Sequence, residues 1–60
     1  MSAILKEGTK VKYIGETNSE YTKGKTYEIY GYDDELEMYG VKSDSGEIYC
    51  VDGEDLKVVG

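Results

Sequence analysis

The 60-residue chain has no histidine, arginine, tryptophan, phenylalanine or proline, and one cysteine, Cys50. Each absence excludes something. Without His there is no His-based catalytic triad and no His-ligated metal, and a single Cys forms neither an internal disulfide nor a zinc–cysteine cluster. Without Arg the chain lacks the side chain that most often reads base edges and phosphates, so no binding to nucleic acid is expected. No apolar run approaches the ~18 residues that would cross a bilayer, so no membrane partner is expected. Met1–Glu7 show neither the basic start nor the apolar stretch of an export signal. Small exported domains usually carry disulfides, so the lone Cys50 points to a reducing cytoplasm. With no His or Arg to activate it, Cys50 reads as a small apolar strand residue.

Aliphatic residues are also scarce: Ile, Leu and Val total 12 of 60. Together with a net charge of −6 this lies close to the composition of disordered chains. Seven tyrosines and a regular alternation tell instead for a folded unit, one domain over 1–60 with its core region in 8–59. Charge is unevenly placed, +2 over residues 1–27 and −8 over 28–60. Such an acidic half is first of all a solubilising face.

Glycine recurs at 8, 15, 24, 31, 40, 46 and 53, and between these marks lie short runs of Val, Ile, Tyr and Thr alternating with charge. That pattern predicts strands over Thr9–Ile14, Lys25–Tyr32, Glu37–Ser43, Glu47–Val51 and Leu56–Val59. The polar stretch Gly15–Glu20 is a long exposed first loop, and Asp52–Asp55 is long enough for one 3₁₀ turn only. In the second strand, parity sends Tyr27 and Ile29 inward and Glu28, Tyr30 and Tyr32 outward. A three-residue loop Asp44–Gly46, with Gly46 left-handed, would pair Ser43 with Glu47, Val41 with Tyr49 and Tyr39 with Val51. A four-residue loop would instead bury Ile48 and Cys50.

The expectation is an all-β fold, a small five-stranded SH3-like barrel with a long first loop and a 3₁₀ turn before the last strand. Leu5, Val11, Tyr21, Tyr27, Ile29, Val41, Tyr49, Leu56 and Val58 would fill it. A five-stranded OB-type barrel is the alternative, for which 60 residues are few. The stretches Gly8–Gly15 (GTKVKYIG), Tyr21–Ile29 (YTKGKTYEI), Asp44–Glu47 (DSGE) and Asp55–Val59 (DLKVV) resemble small SH3-like proteins of Gram-positive phages and prophages, over roughly residues 8–59. The resemblance implies a bacterial or phage cytoplasmic protein. Its motifs are turns and core positions and transfer no catalytic residue. The chain has neither the Trp nor the Ala-Leu-Tyr-Asp-Tyr stretch of proline-peptide-binding SH3 domains, so that ligand is not carried over.

No enzymatic chemistry is expected. Carboxylates are plentiful, but a barrel this small has a filled interior and no cleft to hold two of them some 5–9 Å apart. The runs Asp33-Asp34-Glu35 and Asp52-x-Glu54-Asp55 lack EF-hand spacing and read as acidic surface, with no metal and no cofactor. Gly24-Lys25 lacks the upstream glycine and following helix of a phosphate loop. The candidate binding surface is the outer face of the second strand, Tyr30 and Tyr32 bordered by Glu28, with Met38 beside them. The function expected is a protein-interaction module whose partner is another protein or a second copy in a homodimer. The alternative is an acidic inhibitor that mimics nucleic acid at a host protein's basic site.

Overall fold

A computed structural model describes residues 4–59; Met1–Ala3 and Gly60, the ends of the expected 1–60 unit, lie outside the described residues. Five strands form, β1 (Lys10–Tyr13), β2 (Thr26–Asp33), β3 (Met38–Lys42), β4 (Ile48–Asp52) and β5 (Leu56–Val58), with a 3₁₀ turn at Gly53–Asp55 between the last two. All pairings are antiparallel, in one sheet of order β4-β3-β2-β1-β5, and no α-helix occurs among the described residues. Each strand stands where the alternation places it, its ends shifted by a residue or two.

The β3–β4 hairpin takes the three-residue register. Ser43 N–H donates to the Glu47 carbonyl at 2.7 Å, and Val41 faces Tyr49 and Tyr39 faces Val51. Gly46 has φ +92°, which a side chain would strain, and this selects the loop length and with it the buried face of β4. The Asp52 carboxylate caps the 3₁₀ turn, accepting from Glu54 N–H at 3.2 Å.

Strand β2 serves both halves of the sheet, pairing with β1 through Thr26–Glu28 and with β3 from Ile29 onward. Its register slips by one residue between Ile29 and Gly31, which makes Tyr30 the extra residue of a β-bulge. Beyond the bulge, alternation restarts with the opposite parity.

The core consists of Val11, Tyr13, Tyr21, Tyr27, Ile29, Tyr39, Val41 and Val51, with Leu5, Tyr32 and Leu56 half-buried against it. Two expected core residues are corrected. Tyr49 is 41% exposed toward the hairpin end of the edge strand β4, while Val51, two residues on with the same parity, is buried, and Val58 is 52% exposed on the other edge. Tyr13, Tyr39 and Val51 supply the missing volume.

Building a core from Tyr rather than Phe places hydroxyls inside, and each is used. Tyr21 donates to the Val41 carbonyl at 2.5 Å and Tyr13 to the Glu16 carbonyl at 2.8 Å. Tyr27 accepts from Thr22 N–H at 2.7 Å and donates to the Asp44 carboxylate at 3.0 Å. Tyr39 accepts from Leu5 N–H at 3.0 Å. The rings of Tyr13, Tyr21 and Tyr27 pack within 5.2–6.4 Å of one another, two of the three contacts edge-on. Thus the aromatic cluster fills space while its hydroxyls anchor the first loop, the β3–β4 turn and the N-terminal segment. No buried side-chain nitrogen or oxygen lacks a partner among the described residues.

Candidate functional site

Tyr30 and Tyr32 line one outer hollow, but their rings do not project from the same face. Tyr30 at the bulge is 56% exposed on the outer face. Tyr32, beyond it, turns inward and packs on Tyr39, ring centroids 4.8 Å apart and planes tilted by 56°. Burial pushes the Tyr32 phenol above its ordinary value, and the nearby Glu37 carboxylate adds to this. The expectation that both rings project from one side is therefore corrected, because Tyr30 is itself the extra residue of the bulge and one added residue exchanges the faces of those that follow. Glu28 is engaged by Lys10 at 3.0 Å across β1–β2.

The other candidates separate into two surfaces. On the outer face of β2–β3–β4, Tyr30, Tyr32, Ile48 and Cys50 line a shallow hollow of about 380 Å³ together with Gly31 and Gly40, with Asp33 and Asp34 following along β2. Asp33 also holds its turn, its carboxylate accepting from Glu35 and Leu36 N–H at 3.0 and 3.2 Å. Glu35 is exposed on that turn.

Met38 joins a different surface, a groove of about 480 Å³ between the first loop, β4 and the 3₁₀ turn. Tyr13, Tyr21, Met38 and Tyr49 give it aromatic and apolar walls; Asn18, Glu20, Asp52 and Asp55 give it a polar and acidic rim. The first loop is well tied down. Asn18 Oδ1 accepts from the N–H groups of Glu20 and Tyr21, each at 2.8 Å, and Asn18 Nδ2 donates to Tyr13 Oη at 3.3 Å. Gly15 lets the loop cross the 3₁₀ turn, since a Cβ there would lie 2.8 Å from both Asp55 Cγ and Tyr13 Oη. Ile14 N–H seals the crossing on the Asp55 carbonyl at 2.7 Å. Glu54 faces away, into a third groove of about 530 Å³ that Ile4, Leu5, Tyr32 and Leu56 also line.

Electrostatics separates the halves of the chain. The described residues form two ion pairs, Lys10–Glu28 and Lys25–Asp44. Lys25 holds the Asp44 carboxyl below the ordinary carboxylate value, and Asp44 in turn raises the Lys25 ammonium. The acids of the groove have no such cation, and none of the residues lining it is a lysine. Burial pushes the Tyr21 phenol up to about 12, and burial with the Asp55 charge raises Tyr13. The Glu47 carboxylate, which accepts from Tyr49 at 3.0 Å, raises Tyr49. These phenols therefore stay protonated at neutral pH and act as donors and as flat apolar surface. Among the described residues no three Cys, Asp or Glu side chains converge into a metal-holding group.

Reading the residues alone left Glu20 and Tyr49 out of the candidate site, while Ile48, outside in the three-residue register, is 45% exposed. Glu20 lies in a loop that alternation does not describe, and the inward parity of Tyr49 assigns it to the core. Gly31 inside a strand was the available sign of the bulge. Compared with known protein families, curated proteins and solved structures, the chain matches none.

Proposed function

We propose that the chain is a non-enzymatic protein-interaction module, an SH3-like barrel of phage or prophage origin acting in the bacterial cytoplasm, whose groove between the first loop and the 3₁₀ turn takes a cationic segment of a partner protein. In favour of the barrel is the sharing of β2 between two halves of the sheet, with the 3₁₀ turn leading from the edge strand β4 to β5. The observation that carries the function is the meeting of Glu20, Asp52 and Asp55 with the rings of Tyr13, Tyr21 and Tyr49 in one groove without a lysine. Carboxylates beside tyrosine faces suit a Lys or Arg side chain, whose charge is drawn to the acids while its stem or guanidinium lies on the rings.

Capture of partners from a bacterial lysate tests this reading. Wild-type protein should retain a partner that Asp55→Asn with Tyr49→Ala loses and that Tyr30→Ala keeps, with retention falling as salt rises. Retention unaffected by the groove variant would refute it. The nucleic-acid-mimic reading rests on a separate observation: of the ten acids in residues 28–60, only Glu28 and Asp44 form ion pairs among the described residues. A partner displaced by duplex DNA would favour that reading.

A further inference from the structure

We propose that the outer face of β2–β3–β4 is a self-association surface on which a second copy of this chain packs face to face about a two-fold axis along the row Gly31–Gly40–Cys50. This inference does not rest on the groove, although Cys50 borders both surfaces.

Three observations carry it. First, the face holds a projection beside a hollow. Tyr30 stands out at the bulge, while a Cβ built on the adjacent Gly31 would meet nothing within 4 Å. Ile48 leans over the other glycine, its Cγ2 3.3 Å from where a Gly40 Cβ would sit. A two-fold contact needs one patch to carry both knob and hole, because the same surface serves on both copies.

Second, the face is electrically two-ended. Gly31 faces Gly40, and Gly40 faces Cys50, so these three residues form a row across the strands. Lys42 lies two residues along β3 on one side of the row and Met38 two residues on the other, with Asp33 opposite Met38 and Asp34 next to it. Alternation keeps Lys42 on the face of Gly40, and neither ion pair of the described residues involves it. Rotation about the row exchanges the two ends, roughly 7 Å to either side. Lys42 of each copy then lies over the Asp33–Asp34 end of the other. Each chain carries a net −6, so unoriented approach is repulsive, and this arrangement sets opposite charges against each other.

Third, the row ends at Cys50, exposed on the edge strand and the only cysteine in the chain. A side chain on a two-fold axis meets its own copy, so the arrangement brings two Cys50 thiols together.

The patch is small. A standard interface covers about 800 Å² on each partner, which would be about a fifth of this chain's 4296 Å² surface. A weak, concentration-dependent dimer is the expected form.

Sedimentation equilibrium of the full chain, from about 1 µM to about 1 mM, is the test, spanning dissociation constants typical of small interfaces. Wild-type protein should pass from monomer to dimer, and a short bis-maleimide should join two copies through Cys50. Gly31→Val fills the hollow from a Cβ position with no other side chain or backbone within 4 Å beyond its chain neighbours, and should weaken the dimer at least ~10-fold while leaving the thermal melt in place, the loss expected for about 1.4 kcal/mol of lost packing. Lys42→Glu should weaken it too, and Lys42→Glu combined with Asp34→Lys should restore it, since the swap returns opposite charges to facing ends. A monomer across the whole range overturns the proposal. So does a dimer indifferent to Gly31→Val and to the charge swap, which would place the contact elsewhere, such as strand-to-strand along the β4 edge.

Discussion

On either side of Tyr30, β2 is two different strands. Ahead of the bulge, Tyr27 lies in the aromatic cluster, its hydroxyl between Thr22 N–H and Asp44, while Glu28 on the opposite face pairs with Lys10. Beyond it, Tyr32 comes inward onto Tyr39 and the outer face is left to Gly31 and its hollow. The first half is packed within and carries an exposed ion pair outside. The second half is packed within only. A bulge thus divides one strand into a half whose inner residues build the aromatic cluster and a half whose outer face is left open beside glycine.

Substitutions at the two ends of β2 test this division, and the largest effect belongs to the first half. Tyr27→Ala removes a buried ring and both hydroxyl bonds. Its cost, about 3–5 kcal/mol for a core aromatic, equals most of what a domain this small has, so the variant should be largely unfolded in a urea or thermal melt. Next comes the contrast within the open half. Tyr32→Ala should cost about 2 kcal/mol through lost packing on Tyr39, and Tyr30→Ala no more than about 0.5 kcal/mol in dilute monomer. Equal melting temperatures for these two variants would break the comparison, since both rings would then lie on one face.

A smaller effect isolates a hydroxyl of the aromatic cluster. Tyr21→Phe keeps the ring and deletes the donor to the Val41 carbonyl, at about 1 kcal/mol. It also changes the alkaline limb. Because burial raises the folded value above the ordinary 10.0, to about 12, the neutral phenol contributes in full below pH 10.0 and is lost as the pH climbs toward 12. Absorbance titration should show a late-titrating phenol that Tyr21→Phe removes. The smallest effect is acidic. Lys25 holds Asp44 below its ordinary 3.8, so the stabilisation is present above that value and is lost as the pH falls through the lowered one. Asp44→Asn should flatten the stability profile below about pH 4, where that carboxylate would have taken up its proton.

Much of this architecture is set within a few residues at a time, and there the sequence speaks by itself. Alternation of Val, Tyr and Lys in Lys10–Tyr13 sets that strand's faces, the left-handed Gly46 sets the β3–β4 register, and Asp52 caps the 3₁₀ turn through its own side chain. Missing His and Arg confine the chemistry to carboxylates, hydroxyls, ammonium groups and one thiol. What only the tertiary structure decided depends on how strands meet. The bulge forms between β2 and β3, so the inward turn of Tyr32 follows from pairing and not from the order of residues in β2. Tyr49 has an inward parity yet lies open, while Val51 with the same parity on the same edge strand is buried. The groove joining Glu20, Met38 and Asp55 brings residues up to 35 positions apart together through the crossing at Gly15. Parity and turn chemistry are local, whereas coverage by a neighbour is a property of the packed sheet, and it is coverage that separates core from surface in this protein.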